Sequence, residues 1–169
     1  MNTLNTFFEA DHRRIEELFD RATANVEHVD DAVYAEFRRG ILRHIAMEEK
    51  YVIPAILAGR DGTPLHIARQ LRFEHGAIAA LLVPPPGKGV IEVLRRVLIH
   101  HHHLEEGTGG LYESCEHYAS SVVEDVLKKS EGLPDVPVLP HNPASGSYEA
   151  AIRSLARAGY KVTESELKA

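Results

Sequence analysis

The motif HIAMEE at residues 44–49 recurs as HHHLEE at residues 101–106, with a histidine first and glutamates in the fifth and sixth places. A second pair of segments also repeats: DHRRIEELF at residues 11–19 and EHGAIAALL at residues 74–82 share the acid, the histidine and the aliphatic positions. The order along the chain is therefore His, His-x-x-x-Glu, His, His-x-x-x-Glu. Repeated polar residues inside helical patterns indicate two pseudo-symmetric halves.

The repeated residues lie on the apolar stripes of predicted helices. His12 and His75 each follow one apolar residue by four and precede another by three, which places them on the core-facing side. His44 and His101 have the same kind of spacing, and each is followed one turn later by a glutamate. The predicted core-facing set is His12, His44, Glu48, His75, His101 and Glu105.

Four main helices account for the spacing of apolar residues. We predict them over residues 5–24, from a cap at Asp30 and Asp31 to Gly59, from Thr63 and Pro64 to Leu82, and after Gly89 to at least Glu106. A further helical stretch is predicted over residues 111–129. Short loops and the lack of an alternating strand pattern predict an all-α fold, an up-down antiparallel four-helix bundle with additional C-terminal helices.

The C-terminal third has a different composition. Residues 132–147 are rich in proline and glycine, which predicts a linker. We therefore divide the chain into a bundle with its helical extension at 1–131, the linker at 132–147, and an amphipathic helix with a tail at 148–169, in which Gly159 caps the helix. This last helix either packs on its own bundle or mediates homo-oligomerisation.

Charge and cysteine content narrow the functional classes. The formal charge of −6 gives no basic surplus for binding nucleic acid or an anionic membrane. No apolar run is long enough to span a bilayer. The single cysteine, Cys115, is expected to be an inert packed thiol, and a cytoplasmic location fits best.

The six core-facing groups indicate a metal site. One buried histidine is usually a hydrogen-bonded structural residue, but six ionisable groups in one core are costly to desolvate unless something satisfies them. A pair of metal ions does so, with two imidazoles for each ion and the two glutamates between them. Nitrogen and oxygen donors without thiolate suit iron or manganese and also permit zinc.

Neighbouring residues leave alternatives open. Only one or two of the histidines at residues 100–103 can face the core, and His101 is preferred, with His102 and Glu106 as the fallback register. Glu49 and Glu106 are expected to be salt-bridged surface groups more often than ligands. His28, His66, His117 and His141 are expected outside the apolar stripes.

This arrangement over residues 8–112 resembles the hemerythrin-like family, also called HHE cation-binding domains. The resemblance implies an oxo- or hydroxo-bridged non-haem di-iron centre on the same six residues, with a role in binding or sensing dioxygen, nitric oxide, redox state or iron. Oxygen-carrying members have a fifth histidine one turn from the third-helix ligand, whereas Leu71 and Ala79 stand here. Glu49, Glu106, His102 or Tyr51 could fill that place instead.

Three functions remain open from the sequence. The first is a di-iron protein that binds or senses a small molecule. The second is a di-iron oxidoreductase, such as an oxidase, a peroxidase-like enzyme or an enzyme that handles nitric oxide. The third is a structural or interaction bundle with zinc or no metal.

Overall fold

The computed structural model describes residues 3–169, and within that range it contains helices, turns and loops but no β-strand. The prediction of an all-α bundle with additional C-terminal helices is confirmed. The helices are α1 (Leu4–Ala22), α2 (Asp31–Met47), α3 (Ile53–Gly59), α4 (Ala68–Leu81), α5 (Lys88–Glu106), α6 (Leu111–Tyr118), α7 (Val123–Glu131), α8 (Ser145–Arg157) and α9 (Glu164–Leu167).

Two apolar clusters lie at opposite ends of the four long helices, α1, α2, α4 and α5. Along α1 the chain passes from Phe8 in one cluster to Ile15 in the other, and α4 runs in the same direction. Along α2 it passes the opposite way, from Ile41 to Met47. The helices therefore alternate in direction, and the repeated histidines lie in the layer between the two clusters.

The second predicted helix is interrupted. A π-helical turn, Glu48–Val52, separates α2 from α3, where a continuous helix was predicted to Gly59. Pro54 has no N–H to donate to the carbonyl four residues earlier, so a regular α-helical ladder cannot continue through this point. Such wide turns inside helices are frequent at functional sites. The start of α2 is as predicted, because the Asp30 side chain accepts from the backbone N–H groups of Ala32 and Val33.

Two other predicted boundaries were wrong. The third long helix begins at Ala68 rather than Pro64. We attribute the later start to Leu65, whose side chain is buried in an apolar cluster just before the helix begins. The stretch from 111 to 129 is two helices joined by a 3₁₀ turn, Ser120–Val122. The first of them, α6, ends where the Tyr118 carbonyl lies so close to Gly59 that a Cβ there would come within 1.9 Å of it.

The C-terminal third packs back on the bundle. Residues 132–144 form no helix, but the Arg43 Nε donates to the Leu133 carbonyl at 2.9 Å and an Arg38 Nη donates to the Leu139 carbonyl at 2.8 Å. Helix α8 then buries Ala151 and Leu155 in the cluster that contains α4 and α5. Gly159, with φ of +92°, ends α8 as predicted.

The division into 1–131, 132–147 and 148–169 stays a prediction, as does homo-oligomerisation. Among the described residues no helix combines the length and the apolar character that crossing a membrane requires.

Candidate metal centre

The six predicted site residues meet in the layer between the two apolar clusters. Their donor atoms form two groups, and within each group the atoms lie within 4.8 Å of one another. Both glutamates belong to both groups, whereas each group has its own pair of histidines. The first group is His12, His44, Glu48 and Glu105, and the second is Glu48, His75, His101 and Glu105.

Each glutamate directs one oxygen towards each pair of histidines. The Oε1 of Glu48 lies 3.3 Å from the Nε2 of His44, and its Oε2 lies 3.2 Å from the Nε2 of His75. The Oε2 of Glu105 lies 3.2 Å from the Nε2 of His12, and its Oε1 lies 2.8 Å from the Nε2 of His101. The two carboxylates therefore lie between two sets of imidazole nitrogens, as bridging groups would.

A carboxylate holds the outer nitrogen, Nδ1, of every one of the four histidines. Such a carboxylate accepts the Nδ1–H and leaves the Nε2 lone pair free for coordination. All four Nε2 atoms consequently face inward as donors. The four Nδ1 contacts are His12 with Glu106 at 2.6 Å, His44 with Asp11 at 2.8 Å, His75 with Glu49 at 2.7 Å, and His101 with Glu74 at 3.1 Å.

These outer carboxylates follow the sequence repeat. Asp11 and Glu74 precede the single histidines, and each contacts the histidine of the next helix in its own half. Glu49 and Glu106 end the two repeated motifs, and each contacts the single histidine of the opposite half. The repeat had shown these acids to be equivalent but not what they touch. The two closing glutamates also pair with arginines, so they are salt-bridged as predicted.

The buried charges are strongly coupled. Burial and the charge of Glu105 raise the pKa of Glu48, but its contacts with His44 and His75 outweigh them and lower it to about 2. Burial lowers the pKa of His44, but the charges of Glu48 and Glu105 and the hydrogen bond to Asp11 raise it to about 10. The pKa of His75 is also raised, and that of Glu105 is lowered. The centre therefore requires positive charge, which either protons or metal ions can supply.

The second group has unsatisfied donor atoms, and this tests whether a metal fits. The Nε2 atoms of His75 and His101, the Oε2 of Glu48 and the Oε1 of Glu105 are buried. Although they lie as close as 2.8 Å to one another, none of them makes a hydrogen bond of good geometry within residues 3–169. An unsatisfied buried polar atom costs about 1–3 kcal/mol. Because these four atoms converge, one cation would satisfy them together. Imidazole and carboxylate donors fit iron, manganese or zinc.

Tyr112 is a site residue that the sequence did not reveal. Its hydroxyl group donates to the Oε1 of Glu48 at 2.6 Å and lies 3.1 Å from the Nε2 of His12 and 3.2 Å from that of His44. It lies on α6, outside the repeat, so no spacing rule pointed to it. The stacking of its ring on Phe8, with centroids 4.9 Å apart, depends on tertiary packing.

The structure also distinguishes the two registers on α5. His101 and Glu105 are fully buried at the centre. The ring of His102 instead stacks on that of His12, with ring centroids 3.9 Å apart, and its Nδ1 lies 2.8 Å from the Oε1 of Glu16. Its fallback partner Glu106 contacts the outer nitrogen of His12 rather than the centre.

The remaining candidates lie away from the centre. His28, His66, His103 and His117 are exposed, as expected, and His141 is partly buried outside the site. Cys115 is buried, and burial raises the pKa of its thiol to about 12, which fits an inert packed residue.

Comparison with known families agrees with the geometry. Residues 3–83 match the model of the hemerythrin HHE cation binding domain. These residues are slightly less than half of the chain, and over them it is similar to the hemerythrin HHE family. The match includes both single histidines and the first His-x-x-x-Glu motif of this hemerythrin-like chain, whereas the second motif, at 101–105, lies beyond it and is joined to the rest by the fold. No curated protein and no solved structure matches the chain.

Proposed function

We propose that this hemerythrin-like protein holds two metal ions, of iron in the first place, and uses them to bind or sense a small molecule such as dioxygen or nitric oxide. His12 and His44 would hold one ion, His75 and His101 the other, and Glu48 and Glu105 would contact both. The observation that carries this proposal is that each glutamate directs one oxygen to each histidine pair.

The buried charge supports the binding of metal cations at this centre. Glu48 and Glu105 are fully buried and bring two negative charges into the core. Four more carboxylates surround them through the outer histidine nitrogens. Arginines pair with three of these outer carboxylates. When the Nδ1–H donates outward, the imidazoles are neutral, so the positive charge that balances the two inner glutamates has to come from elsewhere. Metal cations would supply it.

The enclosure of the centre supports a small ligand. Five of the six inner residues have no exposed surface, and the sixth, His75, is 5% exposed. A molecule that reaches the metals without unfolding the bundle must therefore be small. The second group offers two imidazoles and two carboxylate oxygens, so a six-coordinate ion there would keep positions for a ligand from outside the protein. When bound, iron would supply reversible redox and ligand-binding chemistry, while the protein's part is to fix the nitrogen lone pairs and to exclude water.

The test uses two histidines of one helix. His101→Ala removes a central nitrogen, whereas His103→Ala removes an exposed imidazole two residues later. We expect the wild-type chain and His103→Ala to be purified with two iron ions per chain and a coloured oxidised form whose spectrum changes on addition of nitric oxide. His101→Ala should lose metal and colour while its circular dichroism remains helical.

Two results would count against the proposal. Protein that takes up no iron, manganese or zinc on reconstitution would contradict metal binding, and equal metal loss in both variants would contradict this ligand set. Many turnovers of dioxygen or peroxide with excess reductant would instead identify an oxidoreductase on the same centre.

A further inference from the structure

The two histidine pairs are not equivalent, although their sequences repeat. A phenol hydroxyl lies among the donor atoms of the first group. In the part of the chain that the structure describes, no aromatic hydroxyl contacts the Nε2 atoms of His75 and His101 or the glutamate oxygens that face them. Tyr112 stands seven residues after Glu105, and the residue seven after Glu48 is Ala55. The pseudo-symmetry of the acids and histidines therefore ends at this side chain.

We propose that Tyr112 is a protein ligand of the metal ion on the His12 and His44 side, which makes the two metal positions chemically different. This inference rests on the proposed binding of two metals and adds a residue and an asymmetry to it. Oxygen from a phenolate is a suitable donor for a trivalent metal. Coordination would replace the phenol proton by the cation and release that proton to the solvent.

The number of hydrogen-bond acceptors around the Tyr112 hydroxyl supports this role. The Tyr112 oxygen faces four acceptors: the Nε2 atoms of His12 and His44, the Oε1 of Glu48 at 2.6 Å and the Oε2 of Glu105 at 3.4 Å. A phenol has one proton to donate. When both histidines are neutral, as metal binding requires, the outer carboxylates accept their Nδ1–H, and three of the four acceptors then face the phenol oxygen without a proton between them. A cation among these five atoms would satisfy all of them.

Glycines between α5 and α6 allow the backbone to bring Tyr112 back to the centre. Helix α5 ends at Glu106, and four residues later Gly110 packs so tightly that a Cβ would lie 2.6 Å from the Glu105 carbonyl oxygen. Gly109 has a positive φ of +72°, which favours glycine. These glycines let the backbone reverse directly beneath the second His-x-x-x-Glu motif. Helix α6 then starts at Leu111, which brings Tyr112 against Phe8 and the metal-binding atoms.

A consequence concerns where the small molecule binds. With Tyr112, the first metal position has five protein residues and the second has four. The ion held by His75 and His101 therefore has more positions for an outside ligand. The small molecule of the proposed function should bind on that side.

Replacement of Tyr112 by phenylalanine tests the inference with little change of volume. Tyr34→Phe is the matched control, because Tyr34 is also buried, at 1% exposure, and its hydroxyl has no hydrogen-bond partner among residues 3–169. Both variants and the wild type would be loaded with iron, oxidised, and measured by elemental analysis, visible absorption and resonance Raman spectroscopy. Ring-deuterated tyrosine would identify the tyrosinate vibrations.

We expect a phenolate-to-iron charge-transfer band and tyrosinate vibrations in the wild type and in Tyr34→Phe, and their loss in Tyr112→Phe. Tyr112→Phe should still bind iron but release one of its two ions at a lower chelator concentration. If iron-loaded wild type shows no tyrosinate signal, or if Tyr112→Phe keeps it, the inference is wrong and the metal-binding proposal stands. If the wild type binds no metal, the proposed function itself fails.

Discussion

The hydrogen bond between Asp11 and His44 gives a quantitative test of the metal centre. The Asp11 Oδ2 accepts from the His44 Nδ1 at 2.8 Å, and contacts with His44 and Arg14 outweigh burial to lower the pKa of Asp11 to about 2. The carboxylate is therefore ionised at neutral pH. Asp11→Asn keeps the shape of the side chain and an oxygen acceptor but removes the charge.

The expected loss of metal affinity follows from the weakening of the hydrogen bond between residue 11 and His44. A hydrogen bond to a charged group contributes about 1.5–3 kcal/mol, and one between neutral groups about 0.5–1.5 kcal/mol. The loss of charge should therefore weaken metal binding by about 1–1.5 kcal/mol, or roughly tenfold in the dissociation constant. This value is at the lower end of the 10–100-fold effects typical of residues that orient a metal-binding histidine.

Asp20→Asn provides the control on the same helix. Asp20 has the same charge, but its carboxylate pairs with Arg95 at 2.6 Å and its side chain is 64% exposed. Affinity would be measured by chelator competition, with metal content followed by absorption. We expect about a tenfold loss for Asp11→Asn and none for Asp20→Asn. Equal affinities in the two variants would refute the idea that outer carboxylates position the imidazoles.

Three further predictions concern pH and packing. Because a proton competes with metal for the Nε2 of His44, metal affinity should rise with pH. In the metal-free protein the raised pKa of His44 contributes stability that is present below about pH 6.5 and is lost as the pH rises towards about 10. The melting temperatures measured with and without metal should therefore diverge as the pH rises. Gly89→Ala should destabilise the fold by about 1–3 kcal/mol, because its Cβ would lie 1.8 Å from the Glu166 carbonyl oxygen; denaturant unfolding that matches the wild type would contradict this. Leu155→Ala should cost about 2–5 kcal/mol through a cavity in the cluster of α4, α5 and α8, while the metal content of the folded protein stays unchanged; loss of metal without loss of stability would oppose it.

Helical periodicity located the long helices well but misplaced several of their ends. The Asp30 cap and the end of α5 near Glu106 depend on local chemistry, and both were predicted. The start of α4 was wrong because burial of Leu65 outweighed the local signal of Thr63 and Pro64. The π turn at Glu48–Val52 has a local cause, the missing N–H of Pro54, which apolar periodicity does not register. The end of α6 lies where the Tyr118 carbonyl packs on Gly59, and this contact joins distant segments.

The sequence alone determined which six residues converge. A helix has a fixed period, so a histidine or glutamate on an apolar stripe must point into the core, and duplication of that pattern indicated the same interior point for both halves. The sequence did not determine which residues contact each of these side chains. Glu49 and Glu106 each reach the opposite half of the repeat, and Tyr112 returns through a glycine-rich reversal. Such contacts join residues far apart in the chain, so only the packing of one helix against another decides them.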